Sequence, residues 1–372
     1  MSAAPSDFFY TVRTAPEIKS ELLPRVFEVW STAMLQQTKS ADLPLCYIDL
    51  QPVLDSNQPM PAVLQLLRQV YKSTGSRTDL NRGTKTTFYD AELPALAELR
   101  EKLEQLPFYQ DLVHPPAILP EVDNEVLPEQ ILEVTQPTLA FLNPIVEGMS
   151  QQVLLRAAEA AGPDVMMLFD PKLLDSGVKK AKSDSVWHQL LGEKLEKIKA
   201  FYKQNRNADR REEYLFNSFE EIFRNKGAFT LRFRINLPDK KQTNFYMLLV
   251  VKSAQAYIGI KELLTRYSDY QEDGVPLFGA NLQHQQMSLF QEHYKYSIAG
   301  LVQDLSRRAT DYNNRTVQQV HEMHSIGTHY ILENYKEAYE QLLRQGKVRF
   351  INPKTGQVIS KPTYTSKIRY SA

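Results

Sequence analysis

Residues 45–54 read LCYIDLQPVL, an apolar run that stops on Asp49 and leaves it through a bulky loop containing proline and no glycine. Three further runs end the same way: TTFYDAE (86–92) at Asp90, TLAFLNP (138–144) at Asn143, and VMMLFDP (165–171) at Asp170. Helical stretches lie between or after them: AVLQLLRQVYKS (62–73), LPALAELREKLEQL (93–106) and EGMSQQVLLRAAEAAG (147–162). Strands alternating with helices of this length predict a parallel sheet covered on both faces. Polar residues at the carboxyl ends of such strands face the crevice where small ligands bind. Domains that hold nucleotides or S-adenosylmethionine there normally place a glycine-rich turn after the first strand, so that backbone N–H groups can approach the ligand. Here the turn over 50–59, LQPVLDSNQP, carries bulky residues and two prolines instead. The layout predicts a cofactor-binding fold, while the loop chemistry argues against the usual cofactor.

Composition narrows the class. The 372 residues carry 44 basic and 44 acidic side chains, so no global polyelectrolyte signal exists, and 42% hydrophobic residues are enough for a sizeable core. No apolar run approaches the roughly 18 residues of a membrane span. The start, MSAAPSDFFYTVR, lacks the apolar core of a secretion signal. The lone cysteine, Cys46, excludes an intrachain disulfide framework and any multi-cysteine metal site, and it reads as a buried, inert thiol. These features together predict a cytoplasmic protein.

Around the four strands, the first 35 residues read as helical after an aromatic lead-in, with Pro16 in a first turn and Pro24 expected to kink or interrupt the helix. Six prolines between Leu106 and Pro137 mark a connecting segment with short or edge elements. The charged stretch 183–225 reads as a long helical region whose aromatics, Phe201, Tyr202, Tyr214, Phe216, Phe219 and Phe223, are core anchors. FTLRFRIN (229–236) alternates, and after a turn at PDKK comes the strong strand TNFYMLLVVKS (243–253), forming an antiparallel hairpin appended to the sheet. A helix over 256–270 follows, and then a loop-like stretch. From about Ser297 the chain reads as helices ending in an amphipathic one, ILENYKEAYEQLLRQGKVRFI (331–351), then a turn at NPKTG and a second strand over 357–370. Helices followed by a two-stranded wing outline a winged helix. The expected division is an α/β domain over 1–270 with its N-terminal helix in 1–38, a linker over 271–296, and a winged-helix-like domain over 297–372.

In this order the parts resemble the three-Cys-motif partner family, bacterial proteins with a methyltransferase-like Rossmann domain and a winged-helix-like tail. The resemblance spans nearly the whole chain: FFYTVRTAPEIKSELLPRVFEVWSTAML (8–35), CYIDL (46–50), FYDAELPALAEL (88–99), FYMLLVVKSAQAYIGIKELL (245–264), QMSLFQEH (286–293) and NYKEAYEQLLRQGKV (334–348). It implies a methyltransferase-like sheet with a terminal antiparallel hairpin, and acidic residues at the second strand, Asp90 and Glu92, facing a cofactor ribose. It also implies a companion protein, a radical-enzyme-like neighbour that carries the cysteines, within a mobile-element or phage-defence system. The departure lies at the site. The family's first loop resembles D-x-F-A-G-x-G, whereas Asp49 is followed by Leu50, Gln51, Pro52, Val53 and Leu54. Asn143-Pro144 keeps half of the turn with which amino-methylating enzymes hold a target amine.

Each candidate has two readings. Asp49 and Asp90 could hold a cofactor's polar groups by charge-assisted hydrogen bonds, or cap the following turns and helices. Asn143 could orient a target amine or start a turn before Pro144, and Asp170 reads as a strand-ending turn. His321, His324 and His329 lack the spacing of a zinc protease and read as ordinary histidines, so no metal is expected. The tail from Lys347 onward carries six basic residues and no acidic one. Lys336, Arg344, Lys347, Arg349, Lys354 and Lys361 are candidates for DNA or RNA contact, although Glu333, Glu337 and Glu340 share the would-be recognition helix and leave protein docking equally open. The leading expectation is a non-catalytic or cofactor-altered partner subunit, a pseudoenzyme that binds a companion protein, nucleic acid or both. The alternative is an active S-adenosylmethionine-dependent methyltransferase acting on nucleic acid.

Overall fold

The structure, a computed structural model, describes residues 5–37, 44–52, 61–119, 136–240, 242–282 and 295–371. The chain forms two compact units. One comprises Val12–Arg234 and Thr243–Ile260; the other comprises Met1–Thr11, Ile235–Gln242 and Lys261–Ala372.

The first unit opens with α1, Ala15–Gln37. Thr14 and Glu17 cap its start reciprocally: the Thr14 N–H donates to Glu17 Oε2 at 2.8 Å and the Glu17 N–H donates to Thr14 Oγ1 at 3.4 Å. The expected interruption at Pro24 does not occur, and the helix runs through it. A lost backbone hydrogen bond and a ring clash cost about 3 kcal/mol. Complete burial of Leu22, Leu23, Val26, Phe27 and Trp30 offsets this, at about 1.5–3 kcal/mol per large apolar side chain. Trp30 also ties the helix to the sheet by donating from Nε1 to the buried Asp164 Oδ2 at 2.8 Å.

The sheet runs β3-β2-β1-β4-β5-β7-β6, with the two-residue β8 (Gly279–Ala280) beyond β6. Its strands are β1 Leu45–Asp49, β2 Thr84–Tyr89, β3 Ala117–Leu119, β4 Thr138–Leu142, β5 Asp164–Phe169, β6 Phe229–Asn236 and β7 Thr243–Val251. The first five are parallel, and β7 pairs antiparallel with β5, Met167 lying opposite Leu248. The hairpin thus ends the sheet by threading its second strand between β5 and β6. β1, β4 and β5 are buried along their whole length, as a doubly covered parallel sheet requires. Helices α2 Ala62–Lys72, α3 Leu93–Glu104, α4 Met149–Ala157 and α5 Pro171–Lys179 follow β1, β2, β4 and β5 in turn.

The charged stretch 183–225 is helical but in three pieces: α6 Val186–Leu191, α7 Glu193–Gln204 and α8 Ala208–Arg224. The first break is Gly192, at φ 53°, and the second is Asn205–Asn207, whose last residue caps α8. Leu195, Ile198, Phe216, Phe219 and Phe223 enter the main core with Val165, Met167 and Phe169, so this region packs on the sheet. Its charge is also partly engaged: Arg232 of β6 forks onto Glu213 of α8 at 2.9 and 3.1 Å. After β7 comes α9, Ala254–Thr265.

The second unit has its own core of Val275, Ile298, Leu301, Leu305, Tyr335, Tyr339, Phe350 and Ile368, among others. Helices α10 Ile298–Arg307, α11 Val317–His324 and α12 Leu332–Arg344 precede a sheet ordered β10-β9-β11. The expected single second strand of the wing is two, β10 Val358–Ile359 and β11 Lys367–Tyr370, pairing with opposite edges of β9 (Val348–Ile351). Residues 360–366, with Pro362 among them, make the crossover.

Lys261, in α9, is 1% exposed and donates to the Ser325 carbonyl at 2.8 Å and to the Tyr330 carbonyl at 2.6 Å. It thereby bridges the two ends of the turn between α11 and α12. Burial lowers its pKa to about 7, against a smaller opposing pull from Glu262. Burial, aided by the charge of Lys261, lowers His321 to about 4. Between pH 7 and 10.5 the unfolded chain holds the Lys261 proton more tightly than the folded one, so stability should rise with pH across that window. Urea denaturation at about pH 7 and about pH 9 should show this rise. Lys261→Met should flatten it, and an unchanged slope in that variant would refute the assignment.

Candidate functional site

The four strand-ending residues share one local device. Asp49, Asp90, Asn143 and Asp170 each accept, on a side-chain oxygen, the backbone N–H two residues ahead: Gln51 at 3.0 Å, Glu92 at 3.0 Å, Ile145 at 3.1 Å and Lys172 at 2.7 Å. A short polar side chain that bonds its own backbone in this way makes the turn out of the strand. Asp170 is in addition the N-cap of α5. Glu92 is exposed at the N-cap of α3 and makes no side-chain cap bond.

Asp49 differs from the others in being fully buried. Lys19 of α1 lies 2.8 Å from its carboxylate and also donates to the Gln51 carbonyl. Tyr47 donates to Asp49 Oδ2 at 3.0 Å. The Lys19 ammonium stands 4.2 Å above the centre of the Phe141 ring on the neighbouring strand β4. Burial lowers the Lys19 pKa while Asp49, and more weakly Asp90, oppose it; burial and the Asp49 charge push the Tyr47 phenol well above its usual range. The electrostatic link through Lys19 puts Asp49 and Asp90 in one neighbourhood. Sequence reasoning missed Lys19; an isolated basic residue on the apolar face of a helix, ahead of the first strand, was the available signal.

The loop that leaves β1 is therefore short of donors. The Leu50 N–H bonds the Phe141 carbonyl at 3.0 Å, the Gln51 N–H is spent on Asp49, and Pro52 has none. Val53 and Leu54, the next bulky residues of this loop, lie outside the described residues. S-adenosylmethionine held in the manner of a glycine-rich turn does not fit residues 49–52, since their acceptor and their N–H groups are already satisfied within the protein. Asp90 and Asn143 are half-buried, and each keeps one polar atom, Asp90 Oδ2 and Asn143 Nδ2, with no bond among the described residues.

In the second unit, Lys336 faces Glu340 on α12 at 4.0 Å, while Arg344, Lys347, Arg349, Lys354 and Lys361 are exposed. Lys367 and Arg369 of β11 are exposed as well and were not singled out in the sequence. The histidines are embedded in aromatic packing. His321 is 2% exposed against Tyr335, His324 Nδ1 is 2.8 Å from the Tyr335 hydroxyl, and His329 stacks on Tyr296. Among the described residues no group of three His, Cys, Asp or Glu side chains could hold a metal, and no helix is long and apolar enough to cross a membrane. Cys46 is free and buried.

A family model described as the GMT-like wHTH domain matches residues 279–355. None of the curated proteins matches the sequence. Among solved structures, a Streptococcus mutans protein provisionally assigned as a methyltransferase, in complex with SAH, is 12% identical, with a TM-score of 0.28; the match covers 64% of this chain and 100% of that one. The CMeT domain of the citrinin polyketide synthase is 9% identical, with a TM-score of 0.30, over 64% of this chain and 57% of that one. Both superpose too loosely to say anything about this chain, whose fold is defined by its own strand order. The protein is an α/β protein whose five parallel strands are extended by an antiparallel hairpin, and its C-terminal part matches, over residues 279–355, a winged helix-turn-helix domain.

Removing one partner of a buried ion pair leaves an uncompensated charge and costs about 3–5 kcal/mol, whereas removing both costs far less. Lys19→Met should destabilise the first unit by that amount in chemical denaturation. Lys19→Met combined with Asp49→Asn should regain most of it, because Asn can still accept from Gln51 and Tyr47. Equal losses in the single and double variants would show that Asp49 does not depend on Lys19.

Proposed function

We propose that this protein is a cofactor-altered, non-catalytic methyltransferase-like subunit whose winged helix-turn-helix domain holds nucleic acid, alone or together with a companion protein. The supporting observation is the closed state of the β1 end: Lys19, Tyr47 and the Gln51 N–H saturate Asp49, and no free backbone donor remains over 50–52. The resemblance to three-Cys-motif partner proteins extends the reading to a cysteine-motif companion in a bacterial mobile-element or phage-defence system.

A second reading, an active S-adenosylmethionine-dependent methyltransferase acting on nucleic acid, draws on Asp90 and Asn143. Both stand at the same end of the sheet with a polar atom to spare. In that reading Asp90 and Glu92 would hold the cofactor ribose and Asn143 the target amine. Calorimetric titration of the folded chain with S-adenosylmethionine and S-adenosylhomocysteine separates the two. The first reading expects no heat of binding with either compound. Micromolar binding that is lost on Asp90→Ala would overturn it in favour of the enzyme.

A further inference from the structure

The winged domain carries two surfaces of opposite electrostatic character. Along α12 the solvent side presents Glu333, Glu337 and Glu340 against only Lys336 and Arg344, and Lys336 is taken up by Glu340. Near the start of this helix the carboxylates gather. The pKa of Glu262 is raised by burial and then by Glu333, against an opposing pull from Lys261, with a smaller push from Glu322. A duplex brought against this helix, as in recognition by a helix in the major groove, would set phosphates against carboxylates.

The three-stranded sheet is the reverse. Phe350 and Ile368 point inward and are fully buried, so the alternate residues of the same strands face outward. The register places Arg349 directly opposite Arg369, and Lys367 opposite Ile351, which is flanked on its other side by Val358. Like charges directly opposite each other destabilise a strand pair. Arg349, Lys367 and Arg369 have no ion pair among the described residues, and no acidic residue occurs from Lys347 to the end of the chain. An anion lying across the pair would relieve the repulsion. The neighbouring Val358, 67% exposed, supplies apolar surface suited to a sugar edge.

We propose that the domain grips nucleic acid by the outward face of this sheet, with Arg349, Lys367 and Arg369 on backbone phosphates, and that α12 does not read bases. The inference rests on the nucleic-acid reading above and specifies its mode. Binding by phosphate contact alone is independent of base sequence and falls steeply with salt. The shared chemistry is a phosphodiester backbone, so duplex DNA and duplex RNA are separate arms of the test.

The experiment is fluorescence anisotropy of the whole protein with a labelled DNA duplex, the same duplex with scrambled sequence, and an RNA duplex, at several salt concentrations. Arg349→Ala with Arg369→Ala should lower affinity about tenfold or more and reduce the magnitude of the salt slope by about two, one for each lost phosphate contact. Lys336→Ala with Arg344→Ala should change affinity by less than about twofold, and scrambling should have no effect. Relief of repulsion means that the arginine variant should melt no lower than the parent, and Arg349→Gln with Arg369→Gln provides a second pair of the same charge. Whichever duplex binds more tightly identifies the source of the phosphate, provided that the arginine variants weaken it. Loss on the α12 variant with the arginine variants unaffected, or a strong preference for one sequence, would overturn the sheet-face mode while leaving nucleic-acid binding in place. No binding of any duplex by the parent protein would overturn both.

Discussion

The ammonium of Lys19, buried beside the Asp49 carboxylate, sets the terms for the crevice end of the sheet. An isolated carboxylate cannot stay ionised at full burial without partners, because several kcal/mol of hydration are lost. Asp49 has three: an ammonium, a phenol and a backbone N–H. Lys19 in turn is satisfied by the carboxylate, the Gln51 carbonyl and the face of Phe141. The set joins α1, β1, β4 and the first residues of the loop, so the placement of residues 50–52 follows from an internal ion pair. In a glycine-rich turn the same positions would keep their donors pointed at a ligand.

The other buried lysine solves a similar problem differently. Lys261 has two carbonyl partners and, among the described residues, no carboxylate bonded to it. Two donors are all that a neutral amine has to offer, which fits a group whose pKa burial has brought to about 7. Where burial lowers the Lys19 pKa against the opposing pull of a bonded carboxylate, Lys261 is bonded to carbonyls alone and its pKa falls to about 7. The consequence is local to the turn between α11 and α12, whose ends it joins. The same unit leaves its positive charge on the wing sheet, away from its own acidic helix face.

Much of the architecture was legible in local pattern. The parallel strands, their acidic or amide ends and the appended hairpin all appear in the structure, because strand period and turn chemistry act over a few residues. The turn-making role of Asp49, Asp90 and Asn143, weighed against a ligand role in the sequence, is visible as a bond to the N–H two residues on, and the strand-ending turn expected at Asp170 makes the same bond. Other features were decided by competition between local cost and tertiary packing. Pro24 should break a helix taken alone, yet the buried face of α1 carries the helix through it. The stretch 183–225 looked continuous because its charge and aromatics repeat at helical spacing, whereas Gly192 and Asn205–Asn207 divide it.

What the sequence determined by itself was the alternation of strands and helices, the polar strand ends, the missing glycines after β1 and the acid-free, basic tail. These depend on neighbours along the chain. Only the tertiary structure decided that Lys19, thirty residues before Asp49, would neutralise it, that Arg349 would face Arg369 across two strands, and that Lys261 would lie buried against the turn of the winged helix. Each joins elements distant in sequence. Their meeting is set by which apolar faces pack together, and a buried charge then takes whatever partners that packing brings within reach.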